Sequence, residues 1–382
     1  MEQRPPRKVL KLSPWGQKCL SWASRLGHPT LLSTLATSGL VLGIRLLGAL
    51  QGLELGIYDQ LVRLRPTLPA DDRILIVGIG EIDVQQRQEW PIQDQTIVEL
   101  LDVLLAAEPR AIGLDLFRDV PIADGQAELL TQIQNHEQIV PVCKISGADT
   151  PGVPPPQGTA AGQIGFSDLV VDPGGILRRS LLVAEPPLDS QRSGAHICSD
   201  PEMQLLSLSF QLVLRYLAAD DILLDSTPNG ELRFQDTILR RLGADIGGYQ
   251  DADASGYQIL LNFRAARDAF PQVSLSDVLS GQVPAEQIRD RIILIGATTP
   301  EAKDDFYTPY SGGLQDSQKM PGVVIHAQSV SQILSAVLND RPLLWSWSTS
   351  QELVWIVVWG FGGALFAWYV RRPIRFILGT VG

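Results

Sequence analysis

Cysteine, histidine and positive charge are scarce in this 382-residue chain, and each shortage closes off a class of function. There are three cysteines and four histidines. Neither type shows the close spacing of metal ligands, which argues against a metal centre. Lysine and arginine number 31 against 42 aspartates and glutamates, a net charge of −11. Between residues 54 and 342 the imbalance deepens to 21 basic and 40 acidic side chains, a net of −19. Nucleic-acid binding needs a basic stripe that displaces counterions, and none is present. Catalytic signatures are missing too. No G-x-S-x-G, metal motif or nucleophile beside a base occurs in local sequence. GIGEID, Gly78–Asp83, follows an apolar run, yet it lacks the third glycine and the Lys-Ser/Thr ending of a phosphate loop. No cofactor and no enzymatic activity are expected. An extracytoplasmic hydrolase would need a constellation that the sequence does not offer.

Long apolar runs are also few, and the two that exist organise the rest. Trp345–Val370 is 26 residues with a single charge, Glu352. About 20 apolar residues in a helix cross a bilayer core of ~30 Å, so this run spans with some tilt. Trp345, Trp347 and Trp368 sit near its ends, as interfacial aromatics do, and Arg371-Arg372 marks the cytoplasmic side. Thr30–Leu53 is the second run, broken only by Arg45, whose guanidinium would reach the headgroups from near the outer end. Six basic residues and one acid precede it, and no A-x-A cleavage site follows. The expected layout is therefore a cytoplasmic segment 1–29, a transmembrane helix 30–53 and an extracytoplasmic domain 54–342. A transmembrane helix 345–370 follows, then a cytoplasmic turn at 371–382 that opens a third span. This is a multi-pass inner-membrane protein with its main domain outside. Cys19 would stay reduced inside; Cys143 and Cys198 lie outside, either bridged or packed as small hydrophobes.

Within 54–342 the pattern is that of one α/β domain. Leu46, Leu50, Leu53, Ile57, Leu61 and Leu64 recur at steps of four and three, a coiled-coil seam or the apolar face of a helix on its own domain. RILIVGIG (Arg73–Gly80), AIGLDLF (Ala111–Phe117), Ile139–Ile145 and RIILIG (Arg291–Gly296) read as buried strands. A helix between Pro91 and Pro109 completes a βαβ unit. FSDLVV and ILRRSLLVA flank Asp172-Pro173-Gly174-Gly175 and read as a hairpin. Helices are expected at Gly125–Asn135, Glu202–Ala219, Ser274–Leu279 and Gly322–Leu338, and strands at Leu232–Leu242 and Tyr257–Phe263. The fold class is α/β: a mixed sheet with a parallel βαβ core plus antiparallel hairpin strands, framed by transmembrane helices.

Ligands of open α/β sheets bind at the carboxyl ends of the strands, which directs attention to Asp83 and Asp115. A carboxylate pair there would grip a cation or amine; the alternative is capping and loop hydrogen bonds. Trp90 lines a pocket or staples the following helix. His326, in the first turn of the last domain helix, is a pH sensor or a satisfied structural histidine. Lys303, Asp304 and Asp305 form a solvated, lid-like loop.

In order along the chain stand YDQLVRLRP, RILIVGIGEIDV, EWPIQDQTIVELLDVL, RAIGLDLFRD, GFSDLVVDPGGILRRSLL, DRIILIGATTPEAKDDFYTPYS and PGVVIHAQSVSQILSAVL. These seven motifs resemble the CHASE type 2 domain, a bacterial extracytoplasmic sensor found on receptors with cyclase or kinase effectors. The resemblance runs from about Gln51 to Trp345. It implies a sensory role toward a small-molecule or protein ligand, with Asp83, Trp90, Asp115, Asp304 and His326 as candidate ligand contacts. It also implies association with the membrane, a homodimer, and a cytoplasmic cyclase or kinase in cis or as a partner. The chain ends before any effector, so it reads as the sensor part of a longer receptor, with a natural short form or an envelope scaffold as alternatives. One position departs from the family: its W-P-W-P-R pattern is WPIQD here, with Ile92 and Asp94 in place of an aromatic and an arginine.

Overall fold

A computed structural model describes residues 31–147, 151–188, 196–311 and 318–370. The expected cytoplasmic segments 1–29 and 371–382, Cys19 included, lie outside the described residues. The described residues form two compact units, a larger one within 55–244 and 252–345 and a smaller one within 31–54, 245–251 and 346–370.

The elements up to the first three strands are α1 (Leu31–Leu46), α2 (Gln51–Leu64), β1 (Ile74–Ile79), α3 (Glu81–Arg87), α4 (Asp94–Ala106), β2 (Ala111–Asp115), α5 (Gln126–Asn135) and β3 (Ile139–Cys143). Then come β4 (Gly165–Phe166), β5 (Arg179–Ala184), β6 (Leu205–Leu206), α6 (Leu208–Ala218), β7 (Leu224–Ser226), β8 (Leu232–Phe234), β9 (Thr237–Leu239) and β10 (Tyr257–Leu260). The chain closes with β11 (Gln272–Ser274), α7 (Leu275–Leu279), β12 (Ile292–Ala297), β13 (Asp305–Phe306), β14 (Met320–Pro321), α8 (Gly322–Leu338) and α9 (Thr349–Tyr369).

The larger unit is a three-layer sandwich around a six-stranded sheet of order β11-β1-β12-β2-β3-β4, parallel throughout. The pleat sorts its side chains. Ile74, Ile76, Ala111, Ile292 and Leu294 project toward α6 and α8, while Leu75, Val77, Ile112, Leu114, Ile293 and Ile295 project toward α4, α5 and α7. Both faces are covered, which is why β1 and β12 read as unbroken apolar runs. Each such Ile or Leu contributes about 1.5–3 kcal/mol by leaving water.

The antiparallel strands do not join this sheet, so the expected mixed sheet separates into a parallel sheet and smaller antiparallel ones. Nor does the expected hairpin form. The turn is there, with Gly175 N–H donating to the Asp172 carbonyl at 2.8 Å. Its first arm, however, is in a strand only at Phe166, in β4 beside β3, and its second pairs with β10 and β6. The expected strand over 232–242 is broken by Gln235 at φ 49° into β8 and β9. The helix expected from Glu202 starts only at Leu208, where the Ser207 hydroxyl accepts from Phe210 N–H and Leu205–Leu206 is drawn into a strand. Cys143 and Cys198 are joined by a disulfide that closes a 55-residue separation. By loop entropy that is worth about 4 kcal/mol.

In the smaller unit, α9 has 21 residues, none of them buried. Among the described residues it is the one helix long and apolar enough by itself to cross a membrane. Within the run expected to span at 30–53, Leu31–Leu46 is helical; Gly48 turns at φ 71° before α2 restarts at Gln51, and the two helices, bent by 87°, are long and apolar enough to cross only when taken together. The long seam from Leu46 to Leu64 is therefore interrupted. Arg45 is not left to the headgroups: its Nη2 lies 2.8 Å from Glu352 and donates to the Gly247 carbonyl at 2.6 Å. The single charge of each apolar run thus neutralises the other. A Cβ on Gly360 would sit 2.5 Å from Ser38 Oγ, the close approach that small residues allow between apolar helices.

Candidate functional site

The loops that leave the carboxyl ends of the parallel strands enclose a cavity of about 590 Å³ in the larger unit. Asp115, the last residue of β2, stands at its edge, and the segments after β4, before α4 and before β13 supply the other walls. The short β13–β14 ladder sets Asp304 beside the first turn of α8, where the Asp304 carbonyl accepts from Gly322 N–H at 2.8 Å. Two glycines allow this crowding. A Cβ on Gly322 would lie 2.2 Å from Asp304 Oδ2, and one on Gly296 would lie 2.7 Å from Val323 Cβ.

Four of the five residues singled out in the sequence line this cavity: Trp90, Asp115, Asp304 and His326. Burial pushes the Asp115 carboxyl up to about 7. Burial, then repulsion from Asp115, pushes Asp304 up as well, with His326 acting in the opposite sense. Up to near neutrality the pair therefore keeps a proton that exposed carboxyls would have lost. His326 is 2% exposed and burial lowers it to about 4, so it is neutral. Its Nδ1 is buried with no hydrogen-bond partner among the described residues. Trp90 and Phe117, 41% and 40% exposed, add aromatic surface at the same cavity.

The structure places Asp83 elsewhere. Its Oδ2 accepts from Gly80 N–H at 2.9 Å, and its Oδ1 from Ser276 N–H at 2.9 Å and Oγ at 2.6 Å. It is 1% exposed and ties α3 to α7. The neighbouring-strand pairing expected of Asp83 and Asp115 fails because β12, from nearly two hundred residues later, inserts between β1 and β2. Among the described residues no group of three His, Cys, Asp or Glu side chains is disposed to hold a metal ion.

A family model described as the CHASE2 domain matches residues 36–365. The chain belongs to the CHASE2 domain family. CHASE2 is an extracellular, sensory and non-catalytic domain family. Comparison with curated proteins and with solved structures gives no match.

Two quoted motifs of this CHASE2 domain meet in a buried ion network. Arg178 donates to both Asp59 oxygens at 2.7 and 2.8 Å and to Asp172 at 2.7 Å, and Arg179 donates to Asp172 at 2.8 Å. These four side chains are at most 6% exposed, so the motifs serve the scaffold and clamp α2 to the turn before β5. Asp94, which stands where the family pattern has arginine, is met by Arg118 at 3.3 Å with exposures of 1% and 4%. Arg118 Nη2 also donates to the Ile92 carbonyl at 2.9 Å, and Asp94 Oδ2 accepts from Ile122 N–H at 3.0 Å. An acid at 94 is thus balanced by a base at 118, which lines the cavity. Sequence reading passed over Arg118 because nothing local pairs it with a residue 24 positions earlier.

Proposed function

We propose that this CHASE2 domain is the extracytoplasmic sensory domain of a bacterial transmembrane signalling receptor, and that the cavity at the carboxyl end of its parallel sheet takes the ligand. The observation that carries this is the convergence of Trp90, Asp115, Asp304 and His326 on one cavity. The cavity holds three carboxyls, Asp115, Asp168 and Asp304, and the unpartnered His326 Nδ1, beside Arg118, Lys144 and Lys303. Aromatic faces at Trp90 and Phe117 also favour a cation. A small organic molecule with an ammonium group meets both demands. Its binding displaces the proton held by the carboxyl pair and shifts the start of α8, on which His326 and Gly322 lie. Because α8 ends at Leu338, shortly before Trp345, a shift of that helix is the natural output toward a membrane helix at 345–370 and a cyclase or kinase beyond. A ligand moves such an equilibrium only through differential affinity for its two states.

The N-terminal apolar run at 30–53 serves in this reading as the other anchor, with residues 54–342 outside. Ile57, Leu61 and Leu64 of α2 are 52%, 59% and 78% exposed, an apolar row that a second copy would cover in a homodimer. A reporter active only in the periplasm, fused near residue 200, is expected to be active; a silent fusion overturns the topology. Joined to a cyclase, the chain is expected to lose ligand-dependent output when one to three alanines are inserted between Leu338 and Trp345. Unchanged output would rule out transmission by the helix.

A further inference from the structure

A second cavity of the larger unit, about 710 Å³, is lined by an excess of cations. It is lined by Arg65, Arg73, Arg264 and Arg341 with one carboxylate, Asp71. In a region with 40 acidic and 21 basic residues, four guanidiniums around one acid run against the local balance. Asp71 is already shared: Arg73 holds it at 2.7 Å and Arg264 at 3.1 Å, and Ser331 Oγ donates to it at 2.6 Å. Arg65 and Arg341 have only neutral partners. Arg65 Nη1 and Arg341 Nη2 both donate to Asn262 Oδ1, at 2.7 and 2.9 Å, and Arg65 Nη2 and Arg341 Nη2 donate to the Phe263 carbonyl at 3.3 and 3.0 Å. Arg341 Nη1 is buried with no hydrogen-bond partner among the described residues. Burial and the charges of Arg264 and Arg65 depress Arg341 to about 10, as expected of a cation held among like charges.

Such an arrangement is costly unless an anion completes it. A planar guanidinium matches phosphate in two-point fashion, and a dianion offsets more of the excess charge than a carboxylate can. The volume exceeds what a bare ion fills, and Leu68, Phe263 and Tyr310 give it an apolar wall. We propose that this cavity binds a phosphate monoester, its headgroup held between Arg65 and Arg341. The ester is either a free metabolite or the headgroup of an anionic lipid, since both present the same chemistry. Ser335 and Asn339 of the α8 end line this cavity while His326 of the first turns lines the other, so one helix carries residues of both. The separation along its axis is ~14 Å at 1.5 Å per residue.

The test uses the full chain. In uncharged detergent micelles at fixed ionic strength, glycerol 3-phosphate is titrated calorimetrically. In parallel, the chain is reconstituted in phosphatidylcholine vesicles with or without phosphatidic acid and its unfolding midpoint is read. Saturable binding in the first arm assigns a free ester, and a raised midpoint confined to the second assigns a lipid; either supports the site. Arg341→Gln and Arg65→Gln are each expected to weaken the response about tenfold, as loss of a charge-assisted pair does. Arg289→Gln, which removes an equal charge from a half-exposed position outside the cavity, is expected to leave it unchanged. Variants are compared only when their ligand-free midpoints match the wild type, and Arg65→Gln stands in if Arg341→Gln fails to fold. Absence of response in both arms, or an equal loss in Arg289→Gln, overturns the proposal.

Discussion

At one end of α8 a cavity holds the buried carboxyls of Asp115 and Asp304; at the other, four guanidiniums share a single carboxylate. The first relieves its strain by titration, since burial raises Asp115 and Asp304 until the pair keeps a proton. The second cannot, because arginine does not give up its proton near neutrality, and it spreads its charge over Asn262, Ser335 and backbone carbonyls instead. The difference teaches where pH should act. The acidic cavity is tunable between about pH 4 and 7, and the basic one is fixed.

The largest effect should come from the fixed cavity. Asp71→Asn leaves Arg73 and Arg264 without their carboxylate, and breaking a buried pair from one side is expected to cost about 3 kcal/mol in denaturant unfolding. If that variant is as stable as the wild type, the arginines were not held by Asp71. In the acidic cavity, Gly322→Ala drives a methyl into the Asp304 carboxylate, an overpacking expected to cost about 2 kcal/mol. A different effect separates the cavities by pH. Folded Asp115 keeps its proton to about pH 7, whereas the unfolded chain releases it near 3.8. Its contribution is therefore complete below 3.8 and falls away as pH rises through 7, by at most about 1.4 kcal/mol per unit. Asp115→Asn should flatten the decline in unfolding free energy over that window, and Asp71→Asn should not. His326 works in the other sense. Its lowered value makes its contribution complete above 6.5 and lost as pH falls through about 4. His326→Gln should thus steepen the decline between about pH 4 and 6.5.

The acidic cavity was largely legible from the chain because its parts carry local signals. Asp115 ends an apolar strand, Trp90 precedes a helix-starting proline, and α8 runs over Gly322–Leu338 as its apolar pattern predicts. What no local pattern reveals is order in the sheet. β12 reaches the centre from residue 292 and separates the strands that carry Asp83 and Asp115. The Asp172 turn misled for a related reason: its carboxylate is occupied by Arg178 and Arg179, and the arms part to serve different sheets. The basic cavity was invisible in the sequence. Its arginines stand at 65, 73, 264 and 341, each unremarkable beside its neighbours, and only the fold gathers them.

The most direct test of the sensory reading is calorimetric titration of the full chain with small aromatic primary amines such as phenethylamine, at pH 6 and pH 8. Displacement of the shared proton predicts tighter binding at pH 8, and predicts that Asp304→Asn abolishes it while Asp83→Asn retains it. A panel of such amines that does not bind, or binds Asp304→Asn as well as the wild type, would contradict the assignment of the acidic cavity.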